Sequence, residues 1–112
     1  MDTEAVVARR LAKSTGLTAR LEVPSDNSGE FITVELTSEG SGFVAPATLA
    51  VQAWADTRKR AREMMQAVVA AVPDLEDEDN IFHPVAESTY RFPDPDTRRA
   101  RYQTTVSLNI CE

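Results

Sequence analysis

The clearest pattern along the chain is a strand that runs directly into a helix between residues 49 and 73. Residues 49–54 alternate between two unlike faces, which is the period of a strand, and one face consists of Leu49, Val51 and Ala53. An apolar stripe then recurs at helical spacing, at Ala61, Met64, Met65, Val68 and Val72. We therefore predict a helix that Asp56 caps, that Pro73 ends and that packs on the sheet.

The other periodic segments predict one more helix and four more strands. The helix covers residues 2–15, with Asp2 or Thr3 as its cap and Gly16 at a left-handed C-terminus. The strands are residues 17–23, 31–36, 81–90 and 97–110. Pro84 indicates that the third of these is an edge strand or contains a bulge. The intervening loops are residues 24–29, 38–42 (a hairpin tip), 74–79 and 92–96.

The last predicted strand has the most regular alternation. One face is mostly apolar and consists of Tyr102, Thr104, Val106, Leu108 and Ile110. The opposite face is polar throughout, so we expect it to meet solvent or another subunit.

The element order predicts an α+β fold. Helix-strand-strand-strand-helix-strand-strand with hairpin-length links favours two helices packed on one face of a mostly antiparallel sheet. The 112 residues suit a single domain, 1–112, and the hydrophobic content of 42% and charged content of 27% are typical of a globular protein.

Charge and hydropathy exclude two classes of function. A formal net charge of -6 argues against a general nucleic-acid-binding protein, which is normally basic. No apolar run approaches the roughly 20 residues of a membrane helix, and the acidic start lacks a signal-peptide core. We expect a soluble protein, made in a cytoplasm, with no membrane partner.

Residues capable of catalysis are scarce. His83 is the only histidine and Cys111 the only cysteine, and both stand where a nucleophile or base would be poorly held. The five carboxylates of residues 74–79 lack the glycine and distal glutamate of an EF-hand loop, and residues 40–42 are too short to cradle phosphate. We predict no enzyme activity, no metal and no cofactor.

Three charged clusters remain. Two are basic and one is acidic: Arg58, Lys59, Arg60 and Arg62; Arg98, Arg99 and Arg101; Glu76, Asp77 and Glu78. The first cluster is either a solubilising surface with local partners such as Asp56 and Glu63, or a site for carboxylates of a neighbouring subunit. The first and third clusters lie at opposite ends of one predicted helix, about 20 Å apart, so they cannot pair within a chain. In a head-to-tail ring they would meet between neighbours.

The chain as a whole resembles the small tail terminator proteins of long-tailed bacteriophages. The resemblance includes an N-terminal helix, a strand pair with a glycine-containing tip, and "VQAWA" running into "DTRKRAREMMQAVVAAV". The later segment "STYRFPDPDTRRARYQTTVSLNI" is similar as well, with its Pro-Asp-Pro turn and tyrosine-led strand.

This resemblance implies a structural virion protein at the head-proximal end of the tail. Its subunits form a ring, usually a hexamer, that caps the tail tube, ends tube polymerisation and presents a surface to the head–tail connector protein. DNA would pass through the lumen without specific binding. The expected surfaces for the tail tube protein or the connector are Ser38, Glu39, Gly40, Ser41, Gly42, Phe43, Arg98, Arg99 and Arg101.

Two alternatives remain open. In the first, the chain is another head–tail joining subunit of the neck or stopper type. In the second, it is a stand-alone ligand-binding or regulatory domain whose pocket is lined by Trp54, Phe82 and Tyr90, although aromatic residues at these spacings more often belong to a core.

Overall fold

A five-stranded sheet of order β1-β2-β3-β5-β4 forms the frame of the molecule. The structure is a computed structural model and describes residues 2–96 and 98–111. Its elements are α1 (Thr3–Thr15), β1 (Ala19–Arg20), β2 (Phe31–Glu39), β3 (Val44–Ala55), α2 (Arg58–Ala71), a 3-10 helix (Val72–Asp77), β4 (Ile81–Arg91) and β5 (Ala100–Cys111). The α+β class and the mostly antiparallel sheet are confirmed.

The first strand pair differs from the expected pairing. Only Ala19 and Arg20 pair with β2, and they run parallel to it rather than antiparallel. The predicted strand over residues 17–23 is therefore short, because the chain leaves the sheet after Arg20 and returns through a long loop instead of a hairpin. The other three pairs, β2–β3, β3–β5 and β4–β5, are antiparallel.

One cluster of buried side chains joins both helices to one face of the sheet. The predicted stripe of α2 is confirmed, since all five of its residues are at most 1% exposed. It meets Val7 and Leu11 of α1 and the inward-facing residues of β2, β3 and β5. Alternation along β5 is confirmed as well, with Thr104, Val106, Leu108 and Ile110 buried between half-buried polar neighbours.

The ends of α2 differ from their predicted form. Thr57, not Asp56, caps the helix: its hydroxyl oxygen accepts from the Arg60 amide at 3.2 Å. Asp56 instead binds Arg99. Pro73 does not begin a plain acidic loop, because Val72–Asp77 forms a 3-10 helix that buries Leu75. Proline is tolerated in the first turn of a helix, where its missing N–H would have no partner.

Other boundaries follow the sequence closely. Asp2 caps α1 by accepting from the Ala5 amide at 3.2 Å, and Gly16 ends it with φ +77°. The hairpin tip is residues 40–43, shorter than predicted, because β2 continues through Glu39. Its turn needs a glycine at Gly40, where a Cβ would lie 2.8 Å from Cδ of Pro46.

Strands β4 and β5 complete the sheet. The register of β4 shifts between Phe82 and Val85, so Pro84 lies in an irregular edge strand as predicted. Thr97, the predicted start of the last strand, lies outside the described residues, and β5 begins at Ala100.

Substituting Val68 with aspartate tests the placement of α2. The side chain is 0% exposed, so Val68→Asp would bury an unpaired carboxylate against the sheet. We expect a loss of about 4 kcal/mol or more in the free energy of unfolding, enough to unfold the domain or nearly so. Glu63→Asp, on the exposed side of the same helix, is the control and should cost less than about 0.7 kcal/mol in urea denaturation. Equal stability of the two variants would contradict the packing.

Candidate functional site

The strand register gathers most of the predicted cations at one end of the sheet. Ala55 pairs with Ala100, and Arg91 pairs with Tyr102, so the end of β3, the end of β4 and the start of β5 meet there. Two adjoining cavities of about 330 and 490 Å³ lie between these strands and the start of α2. Their cations, which we call the basic end, are Arg58, Lys59, Arg62, Arg91, Arg98, Arg99 and Arg101.

The opposite end of the same strands carries the acidic cluster and the hairpin tip. Val44 pairs with Cys111, whose amide donates to the carbonyl oxygen of Asn80. The acidic 3-10 helix and turn, residues 74–79, directly precede this point. We call these carboxylates and the tip the acidic end. The two ends are separated along the 42 Å long axis of the molecule.

The arginines of residues 98–101 are partly used to hold the basic end together. Arg101 lies between two aromatic rings, 4.8 Å from the centroid of Trp54 and 4.3 Å from that of Phe92. Its Nε also donates to the Phe92 carbonyl oxygen at 2.6 Å. Arg99 lies over the Phe31 ring and binds Asp56 at 2.9 Å. These two residues therefore order the strand ends, and Arg98 is the exposed one of the three arginines.

The acidic cluster is partly neutralised by a residue that no sequence pattern singled out. Arg10 of α1 donates from Nε to Oε2 of Glu78 at 2.7 Å, and its Nη2 contacts the same oxygen. The hydrogen bond with Glu78 raises the pKa of Arg10 above its usual value. The two residues are 68 positions apart, and no spacing along the chain links them. Glu76 and Asp77 are exposed.

The predicted cations of α2 divide into two groups. Arg60 binds Glu30 at 2.9 Å and approaches Glu63 at 3.9 Å, so it has local partners. Hydrogen bonding to Glu30 raises the pKa of Arg60. Among the described residues, no carboxylate lies within 4 Å of the other three cations, Arg58, Lys59 and Arg62.

A groove runs from the basic end along one side of α2. It has a volume of about 460 Å³ and is bounded by α2 on one side and by Thr89 of β4 and Tyr102 of β5 on the other. The half-buried Val69 supplies apolar surface above the buried Met65, and Arg62 belongs to both the groove and the basic end. Neither helix covers this part of the sheet completely.

The hairpin tip presents the most exposed large apolar side chain of the described residues. Phe43 is 78% exposed, and the neighbouring Val44 is exposed as well. Ser38 and Glu39 end β2 beside it. The predicted docking residues therefore lie at both ends of the molecule, residues 38–43 at the acidic end and Arg98 at the basic end.

The aromatic pocket of the ligand-binding alternative is not formed. Trp54 is buried and stacks on Phe31 with 5.8 Å between ring centroids. Tyr90 contacts Phe92 and accepts from Gln103, whereas Phe82 lies near the other end of β4, opposite Asn109. The three predicted pocket residues thus have separate surroundings.

The candidates for chemistry remain apart from one another. His83 is exposed in the irregular part of β4, and Cys111 is a half-buried free thiol near the end of β5. Within residues 2–96 and 98–111, no three His, Cys, Asp or Glu side chains are grouped so that they would hold a metal ion. No described helix has the length and apolarity needed to cross a membrane.

Comparison with protein-family models finds no match, and comparison with curated proteins finds no significant similarity.

The Arg10–Glu78 contact should couple more strongly than the Arg60–Glu30 contact. The Arg10 and Glu78 side chains are 21% and 20% exposed, whereas those of Arg60 and Glu30 are 43% and 47% exposed, so solvent screens the second pair more. Double-mutant cycles with Arg→Met and Glu→Gln at each pair, measured by urea denaturation, should rank the coupling energies in that order. The reverse order would show that Arg10 does not fix the acidic end.

Proposed function

We propose that this chain is the subunit of a ring that caps the tail tube of a long-tailed bacteriophage and joins it to the head connector. The role is structural, within the virion, and needs no catalytic step and no cofactor. The observation that supports the proposal most is the separation of opposite charges at the two ends of the subunit. Cations collect at one end of a 42 Å long molecule, and carboxylates with an exposed apolar hairpin tip lie at the other.

The dimensions of the subunit support a hexamer with its long axes parallel to the ring axis. The two short extents are 23 and 22 Å. In a regular hexagon the distance from the centre to each subunit equals the spacing between neighbours, here about 23 Å. Subtracting half of the subunit depth leaves a channel about 24 Å across, which admits one DNA duplex.

This orientation gives the ring two different faces. One face carries the acidic end and the Phe43 tip, and the other carries the basic end with Arg98. A protein that joins two unlike partners needs two unlike faces, so we assign one to the tail tube protein and one to the connector. The net charge of -6 would let DNA pass through the channel without adhering.

Pairing of the basic and acidic clusters between neighbours, as the sequence suggests, needs a different orientation. The two clusters lie at opposite ends of the long axis, so they meet within one ring only if the subunits lie end to end around it. Six subunits with 42 Å between centres would leave a channel about 60 Å across. We favour the parallel orientation because it encloses DNA closely.

A neck or stopper subunit is the second candidate, because a two-faced ring suits any head–tail joint. Binding separates the two functions. A terminator ring should bind the end of the tail tube and stop its elongation, whereas a stopper should bind other neck proteins. The ligand-binding alternative has less support, because its three aromatic residues line no common pocket.

The purified protein should form a ring of six copies. Native mass spectrometry should give six times the subunit mass of 12.3 kDa, and electron microscopy should show a channel about 24 Å across. Added to polymerising tail tube protein, the ring should stop elongation. A monomer at micromolar concentration would contradict the ring, and a ring that leaves tube growth unchanged would contradict the terminator function.

Reversing exposed carboxylates at the acidic end tests the orientation. Glu76→Lys with Asp77→Lys should leave the hexamer mass unchanged at low and moderate salt, because these residues face out of the ring plane. Glu78 is kept as it is, since it holds Arg10. Arg98→Glu is the matched change at the other end and should also leave the ring intact. A ring that dissociates in the first variant at low salt would support the end-to-end orientation instead.

A further inference from the structure

Two features on opposite edges of the sheet fit each other and would join neighbouring subunits. We propose that residues 21–23 of one copy, which we call the edge segment, bind in the groove beside α2 of the next copy. This inference rests on the proposed ring and identifies the surfaces that close it.

The edge segment exposes apolar side chains beside residues of β2 and β3. After Arg20 the chain leaves the ladder with β2, and Leu21 and Val23 remain 43% and 41% exposed. Hollows of about 230 and 680 Å³ border this segment, and both include the carboxylates Glu22 and Glu35. The segment is therefore an apolar surface flanked by negative charge.

The groove offers the complementary arrangement. Its apolar surface comes from the half-buried Val69 and Tyr102, and its volume of about 460 Å³ accommodates inserted side chains. At one end lie cations that have no carboxylate partner among the described residues: Arg58, Lys59, Arg62 and Arg91. The groove is therefore an apolar surface flanked by positive charge.

Strand register places the two features at the same height. One row of paired residues crosses the whole sheet: Arg20, Thr33, Gln52, Gln103 and Tyr90. Leu21 follows Arg20 on one edge, and Thr89 of the groove precedes Tyr90 on the other. A closed ring repeats every subunit at one height, so contact between Leu21 and the Thr89 side of the groove needs no axial shift. The register places Glu35 level with Ser88, three residues from Arg91, so these charges are offset by about 10 Å and would meet only through their long side chains.

The geometry also selects the kind of partner. Because the edge segment and the groove lie on opposite edges of the sheet, one neighbour cannot occupy both. The contact is therefore heterologous, and it continues from copy to copy until the ring closes. Apolar contact supplies the association, and the charges fix its register.

Disulfide trapping tests the contact directly. In a Cys111→Ser background, Leu21→Cys combined with Ala70→Cys should give a ladder of covalent oligomers up to the hexamer on a non-reducing gel after mild oxidation. Each single-cysteine variant should remain monomeric on that gel. Phe43→Cys with Ala70→Cys is the matched control and should give no ladder, since Phe43 lies at the tip.

Charge and polarity changes give an independent measurement. Leu21→Asp should raise the ring's dissociation concentration at least tenfold, whereas Phe43→Asp, at a more exposed apolar residue, should leave it unchanged. Arg62→Glu with Arg91→Glu should weaken the ring by placing like charges in the contact, and adding Glu22→Arg with Glu35→Arg in the same chain should restore it at low salt. Circular dichroism checks that each variant is folded.

The outcomes separate this inference from the proposed function. A wild-type hexamer that gives no ladder and tolerates Leu21→Asp would overturn the edge contact and leave the ring proposal standing. A monomeric wild-type protein would overturn the ring and, with it, the contact. A ladder together with rescue by the second charge reversal is the result expected.

Discussion

The antiparallel ladder between β3 and β5 is the constraint on which the rest of the structure depends. It pairs Val44 with Cys111 at one end and Ala55 with Ala100 at the other, and at the usual rise it spans about 36 Å. Both helices pack on one of its faces, and β2 and β4 attach to its sides. Its length keeps the two charged ends apart, so positive and negative charge are strongly separated along the molecule although its net charge is modest.

Elements that bury one face were predictable because burial leaves a period in the sequence. The stripe of α2 and the alternation of β5 follow directly from this rule. The cap of α2 did not follow, because Asp56 and Thr57 are adjacent and both suit the role. The choice depends on Arg99, which lies 43 positions further along and engages the aspartate. The local sequence therefore limits the cap to one of these two residues, and the distant contact with Arg99 decides between them.

The charged residues of the candidate site could be predicted from the sequence, but most of the contacts between them could not. The basic and acidic clusters are visible as runs of charge, yet the Arg10–Glu78 pair and the parallel pairing of β1 join residues that share no period. Leu75 was hidden for a related reason: a single buried leucine among five carboxylates leaves no periodic signal. The groove beside α2 is a gap between three elements, so it exists only in the assembled fold.

Both edges of the sheet are protected against uncontrolled strand pairing. On one edge β1 covers only two residues of β2, and beyond it the Glu4 carboxylate accepts from the Leu36 amide at 2.7 Å. On the other edge the positive φ of His83 and the neighbouring Pro84 distort β4. Such devices prevent open-ended addition of strands. In the ring that we propose, such a chain would assemble through side-chain surfaces of defined shape and charge, and a heterologous contact of that kind can close into a ring instead of growing into a fibre.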